Sequence, residues 1–333
     1  MAKLLVKNIN KLITCDDNDR VLEHVNVLIE NGVIIKISNE EMTADDVIDA
    51  SNMVMYPGLI NTHHHLYQTF SRNLPQVQNM ELFPWLKTLY EIWKNVDEEI
   101  TYYSSLTGMG ELLKTGCTTC LDHHYVFPKD KSSGILDAQF AAADDLGIRF
   151  HATRGSMDLS VKDGGLPPDS VVHCPISNMK LSSGIANVTE MLKIGVPVGL
   201  AVDGSASNDG SNLLEEMRVA FLLHRLNRSH EAPSGYDILK LATRGSAKIL
   251  GREEIGYLAE GMAADFFLID LNRLSLVGAQ FDVRSMLATV GFKGNVDYTV
   301  VNGKIVVKEG KLVGIDEEKI TEKANKLVEN YIS

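Results

Sequence analysis

Surplus positive charge, long apolar runs and paired cysteines are all scarce in this chain. Its 32 Lys and Arg stand against 44 Asp and Glu, a formal net charge of −12. That balance disfavours nucleic acid and anionic membrane surfaces as partners, since both attract basic proteins. No run approaches the roughly 20 apolar residues of a membrane-spanning helix. The opening Met1-Ala2-Lys3-Leu4-Leu5-Val6-Lys7 meets a second lysine too early for a secretory apolar region. Only four cysteines occur, Cys15, Cys117, Cys120 and Cys174, too scattered for a disulfide framework. A reduced, cytoplasmic setting is expected. The lone Cys117-Thr118-Thr119-Cys120 lies in a β-prone run with no second pair, so strand packing is favoured over a zinc or redox role.

What is present suffices for a large core: 333 residues, 44% of them hydrophobic, fit one large domain or two smaller ones. Residues 3–55 read as short strands (Leu4–Val6, Lys11–Thr14, Val25–Ile29, Val33–Ile37) with a turn at Asn31-Gly32. Phe266–Ile269, Val296–Val301 and Lys304–Val307 repeat the pattern near the far end, and residues 316–331 read as an amphipathic helix. The two ends are therefore expected to join as one β-domain (1–56 with 256–315), carrying 57–255 as an inserted α/β domain and 316–333 as a C-terminal helix. Within the insert, helices are expected over 81–96, 97–115, 133–146, 186–194, 211–227 and 236–250. Strands are expected over 117–122, 148–154, 171–175 and 196–203. Such alternation implies a parallel sheet or barrel with its chemistry at the strand C-termini.

The most informative run is Pro57-Gly58-Leu59-Ile60-Asn61-Thr62-His63-His64-His65. Side chains at i and i+2 of a strand share a face, so His63 and His65 can converge on one metal ion. Asp203 closes the apolar strand Val196–Val202 and opens Gly204-Ser205-Ala206-Ser207-Asn208. Asp also caps helices. Beside a His pair, however, it can both ligate a divalent ion and take a proton from water that the ion activates.

On these residues the chain resembles the amidohydrolase superfamily. The resemblance rests on His63-x-His65 after Pro57-Gly58, Cys174-Pro175-x-Ser177-Asn178-Met179-Lys180-Leu181, Asp203–Asn208, and Gly256-x-Leu258-x-x-Gly261-x-x-Ala264-Asp265. Within the superfamily it is similar to the 8-oxoguanine deaminase and chlorohydrolase-like group, through Asn61–Gln68, Glu81–Leu86, Arg154–Met157 and Asp163–Val172. The resemblance implies a metal-dependent (β/α)8, TIM-like barrel with a small β-sandwich built from both termini. It also implies one divalent ion, zinc or iron, and hydrolytic deamination of an oxidised purine or related heterocycle.

One departure from the family pattern stands out. The resemblance implies a His-x-His-Leu-Ala-Glu segment on the fifth barrel strand and a further histidine on the sixth, and neither is present. At about 30 residues per βα unit, roughly a hundred residues covering units four to six are missing. The expected join falls between Val172 and His173. Five strands cannot close a barrel built for eight, so the barrel is expected to be incomplete, with edges that pair together, with another chain in a homo-oligomer, or with a rearranged loop. Asp203 is the expected catalytic base, with His63, His65 and Asp203 as metal ligands. Gln68, Trp85, Arg154 and His173 are candidate substrate contacts, with helix capping, core packing, an ion pair and a strand hydrogen bond as their respective alternatives. His123 and His124 are placed near the pocket. The expected partner is a small heterocycle. A triazine or pterin substrate, or an inactive truncated homologue, is the alternative.

Overall fold

A computed structural model of the chain describes residues 3–128, 134–154 and 171–332. The expected Gly164–Pro168 loop, the start of the 133–146 helix and the 155–157 and 163–170 parts of the resemblance lie outside the described residues. The chain begins with β1 (Lys3–Ile13), β2 (Val21–Glu30), β3 (Val33–Ser38), β4 (Asp46–Asp49) and β5 (Met53–Pro57). Next come β6 (Leu59–Asn61), β7 (His64–His65), β8 (Cys117–His124), β9 (Arg149–Arg154), β10 (Val171–His173), β11 (Val198–Leu200) and β12 (Asp203–Gly204). The last strands are β13 (Phe266–Asp270), β14 (Tyr298–Val301), β15 (Lys304–Lys308) and β16 (Lys311–Leu312).

The first five strands and the last four form one sheet, in the order β16-β15-β14-β13-β5-β1-β2-β3, with β4 beside β1. Antiparallel pairing of β13 with β5, Phe266 opposite Pro57 and Asp270 opposite Met53, ties the two ends of the chain together. The expected strands Leu4–Val6 and Lys11–Thr14 are a single strand. A register shift between Val6 and Ile9, with Asn8 at a φ of 58°, absorbs the polar interruption as a bulge.

The inner strands are all parallel and pair as β6-β8-β9, β7-β12 and β10-β11. Thr62 and His63 alone separate β6 from β7, and Ala201 and Val202 alone separate β11 from β12. The lateral order is therefore β9, β8, β6/β7, β12/β11, β10. Among the described residues β9 and β10, at the two ends, each pair with one strand.

Helices Glu98–Lys114, Ile135–Leu146 and Leu213–Arg228 cover this layer, contributing Leu106, Met109, Leu113, Ala142, Leu146, Leu214 and Met217 to its core. Asp97 caps the first by accepting Ile100 N at 2.9 Å, and Gly147 ends the second in the left-handed conformation. Two features were not expected from sequence. Pro175–Lys180 is a short helix begun by proline at its first turn, and Leu241–Gly245 is π-helical between Gly235–Lys240 and Ser246–Ile249. Gly245, at the end of that turn, lies so close to β11 that a Cβ there would sit 2.2 Å from Val198 O. Helix Glu317–Tyr331 closes the chain, capped by Asp316 on Lys319 N. Among the described residues no helix is long and apolar enough to cross a membrane.

Candidate metal centre

The register of the inner strands decides which side chains meet. Pairing of Asp203 with His64 and of Gly204 with His65 sets the end of β12 beside β7. His63 Nε2 and His65 Nε2 then lie 3.4 and 3.3 Å from the same oxygen, Asp203 Oδ1. His64 points the other way, its Nε2 3.0 Å from Ser211 Oγ, and burial holds its pKa down to about 3. The i, i+2 reading of His63 and His65 thus describes the site, although His63 itself lies between β6 and β7 rather than in a strand.

Each partner is fixed from behind. His65 Nδ1 donates to the carbonyl of His123 at 2.7 Å, which leaves Nε2 as the ring nitrogen turned to Asp203. Asp203 has a φ of 61°, in the left-handed region that Asp tolerates better than most residues. Its Oδ2 accepts from Ser177 Oγ at 2.6 Å, and Oδ1 accepts from Gly204 N at 2.7 Å. Burial works to raise the Asp203 pKa, but the hydrogen bonds and charges of His63 and His65 outweigh it and hold the carboxyl well below its ordinary value. For His65 burial works to lower the pKa, and Asp203 reverses the sign and raises it. Imidazole nitrogens around an ionised carboxylate are a donor set of the kind that a divalent ion takes, the ion displacing the imidazole protons that face Asp203.

Comparisons with known proteins identify the family. An Amidohydrolase family model matches residues 54–169 and 163–306, more than half of the chain. The chain belongs to the amidohydrolase family. This amidohydrolase is 30% identical over 456 residues to the hydroxydechloroatrazine ethylaminohydrolase of Pseudomonas sp. (strain ADP), covering 98% of this chain and 95% of that one. It is 31% identical over 411 residues to the 8-oxoguanine deaminase of Pseudomonas aeruginosa, covering 87% and 91%. Its fold is similar to the crystal structure of the atrazine chlorohydrolase TrzN from Arthrobacter aurescens TC1 complexed with zinc, with a TM-score of 0.91, 25% identity and coverage of 98% and 100%. These likenesses support a metal-dependent α/β-barrel hydrolase acting on carbon–nitrogen bonds. The first alignment, 456 positions against a chain of 333 residues, leaves well over a hundred positions with no residue here.

The remaining candidates divide. Gln68 is 1% exposed, its Nε2 3.4 Å from both Tyr67 Oη and Tyr125 Oη, and it packs behind Gly204 rather than facing open space. Trp85, a candidate substrate contact with core packing as its alternative, lies in the core, 3% exposed and edge-on to Trp93 at 5.5 Å. Its helix, Leu82–Trp93, turns the apolar face with Leu89 inward, and the indole goes with it. Arg154 is exposed and lies over the Phe127 ring at 4.4 Å. His173 does not join the cluster: it is buried, its Nε2 3.2 Å from His224 Nε2, a side-chain partner rather than the expected backbone one. The two residues of the Cys-x-x-Cys are buried thiols, Cys117 bonded to Thr119 O and Cys120 to Asn61.

One residue was undervalued from sequence. His123, placed only near the pocket, offers a ring nitrogen that lies within 4.8 Å of those of His63 and His65. Its pKa is lowered, first by burial and then by His65 and His63. The signal was present in the strand-end position of Asp122-His123-His124. The neighbouring Asp122 is taken up structurally, accepting Leu66 N at 2.6 Å and Gln139 Nε2 at 2.9 Å.

Proposed function

We propose that this amidohydrolase is a metal-dependent hydrolytic deaminase of an oxidised purine or a related aminated heterocycle, of the 8-oxoguanine type. The convergence of His63 and His65 on Asp203 Oδ1 carries the reading. The 31% identity to an 8-oxoguanine deaminase supports the substrate class, and the acidic chain suits a small neutral ring. His63, His65 and Asp203 would hold one divalent ion, zinc before iron. When bound, the ion supplies Lewis acidity and lowers the pKa of water towards neutrality. Asp203 accepts a proton at Oδ1, with Ser177 pinning Oδ2 so that the carboxylate cannot swing away. His65 is held with Nε2 turned to Asp203.

The arc β9, β8, β6/β7, β12/β11, β10 is best read as an incomplete barrel, with β9 and β10 as the third and seventh strands of an eight-stranded ancestor. The long alignment gaps and the meeting of the two family matches at 163–169 support that reading. The outer sheet corresponds to the β-sandwich domain of 1–56 and 256–315, and 57–255 to the barrel-derived domain. Closure of the open edges favours a homo-oligomer, and the charge and composition favour a cytoplasmic protein. The identity to an ethylaminohydrolase of a hydroxytriazine keeps a triazine as the competing substrate. Ammonia release from 8-oxoguanine by the metal-loaded protein, lost in Asp203→Asn, is the expected result. Stoichiometric metal with no turnover on purine, pterin or triazine would identify an inactive truncated homologue instead.

A further inference from the structure

His63 and His65 sit at the end of β6/β7, and β8 runs parallel beside them, pairing Asn61 with Cys120. Three residues on, this register carries His123 to the level of the pair. Its ring lies 5.8 Å from the His63 ring and 5.7 Å from the His65 ring, centre to centre. One nitrogen from each of the three lies within 4.8 Å of the others. His124, next along, faces inward and spends its Nε2 on Val126 O at 2.8 Å. The His123 side chain is half-buried, while its backbone carbonyl holds His65 Nδ1.

We propose that His123 is the third imidazole ligand of the metal ion, so that His63, His65 and His123 hold it in place of the His63, His65 and Asp203 set given above, and Asp203 serves as base beside it. This rests on the reading of a metal centre given above. Catalytic zinc commonly has three protein ligands and one open position for water. Nitrogens at about 2.0–2.1 Å from a tetrahedral ion are about 3.4 Å apart, and the three here lie within 4.8 Å of one another. Ser177 and Gly204 donate to the Asp203 oxygens at 2.6 and 2.7 Å and fix the carboxylate beside the imidazoles, where a base is needed. An imidazole contributed by β8 also needs no inner strand beyond the five strand positions seen among the described residues. The set is complete without the absent fifth- and sixth-strand histidines.

The test uses the full chain loaded with zinc or cobalt(II). X-ray absorption on the zinc protein should count three imidazoles; a count of two overturns the proposal. His123→Asn should weaken zinc binding roughly 100-fold or more, given that even a residue that merely hydrogen-bonds a ligand is worth about 10–100-fold. It should also change the cobalt visible spectrum. Asp203→Asn should leave that spectrum in place while abolishing ammonia release, and His151→Asn, at a distant site beside Arg252, should change neither. Unchanged affinity and spectrum in His123→Asn refute the His123 assignment alone. A wild-type chain that takes up no metal refutes the metal centre itself, and the His123 assignment with it.

Discussion

Ser177 Oγ donates to Asp203 Oδ2 across 2.6 Å, joining the short helix after β10 to the carboxylate at the end of β12. Ser177 is itself 2.9 Å from Ser207 Oγ, so a small hydroxyl chain backs the site. A hydrogen bond to a charged group is worth about 1.5–3 kcal/mol. Ser177→Ala should therefore cut the rate of ammonia release by about 10–100-fold while the metal content stays stoichiometric. Steady-state kinetics with parallel metal analysis checks this, and loss of the metal along with the rate would contradict it.

Stability should fall on mild acidification through the buried pair His173 and His224. Burial, and then the His224 charge, hold His173 down to about 4. Burial and Arg228 lower His224 as well. A histidine with a folded pKa below its unfolded value of about 6.5 stabilises the fold above that value. As pH falls from about 6.5 towards 4, the unfolded chain takes up the proton first and the contribution is lost. At pH 5 the loss for His173 is about 2 kcal/mol relative to pH 7. Urea midpoints measured across this range should decline, and the decline should flatten in His173→Asn.

Gly245→Ala sets helix propensity against packing. In an ordinary helix the change favours folding by about 1 kcal/mol, and the Gly245 φ of −60° suits any residue. Here the new Cβ would meet a backbone oxygen, Val198 O, at 2.2 Å, and backbone cannot rotate away. Overpacking of this sort costs about 1–3 kcal/mol or more, so the clash wins. The melting temperature should drop, and an unchanged or higher value would show that β11 yields.

Trp85→Phe separates a core residue from a substrate wall. The indole packs among Trp93, Leu89 and their neighbours rather than against the imidazoles. The smaller ring should cost about 1–2 kcal/mol of stability through lost packing, with KM unchanged. A several-fold rise in KM without loss of stability would restore Trp85 to the ring site.

How much of this was legible in the sequence follows from the range of the contacts involved. His63, His65 and Asp203 stand at the ends of apolar strands, where local pattern alone locates them. His123 needed the lateral register of β6 against β8, and β8 runs two residues past the expected end at Asp122. The pairing of β13 with β5 was anticipated in kind because both ends carry strand patterns with turns. The π-helical turn at Leu241–Gly245 was not, and the backbone that approaches it, at Val198, lies elsewhere in the chain. Trp85 stayed open between two readings because an aromatic near a metal motif serves a core and a binding site equally well by composition. Only the packing of its helix distinguishes them.

Pro57 pairs with Phe266 in the outer sheet and Leu59 with Cys117 in the inner one, leaving Gly58 as the sole residue between them. Gly58 N donates to Asp265 O at 2.9 Å, and a Cβ there would fall 2.2 Å from Thr118 Oγ1. The two sheets share a joint with no slack, five residues ahead of His63. The stem that carries the imidazoles is thus anchored in the outer sheet as well as the inner one, so the two ends of the chain take part in placing His63 and His65.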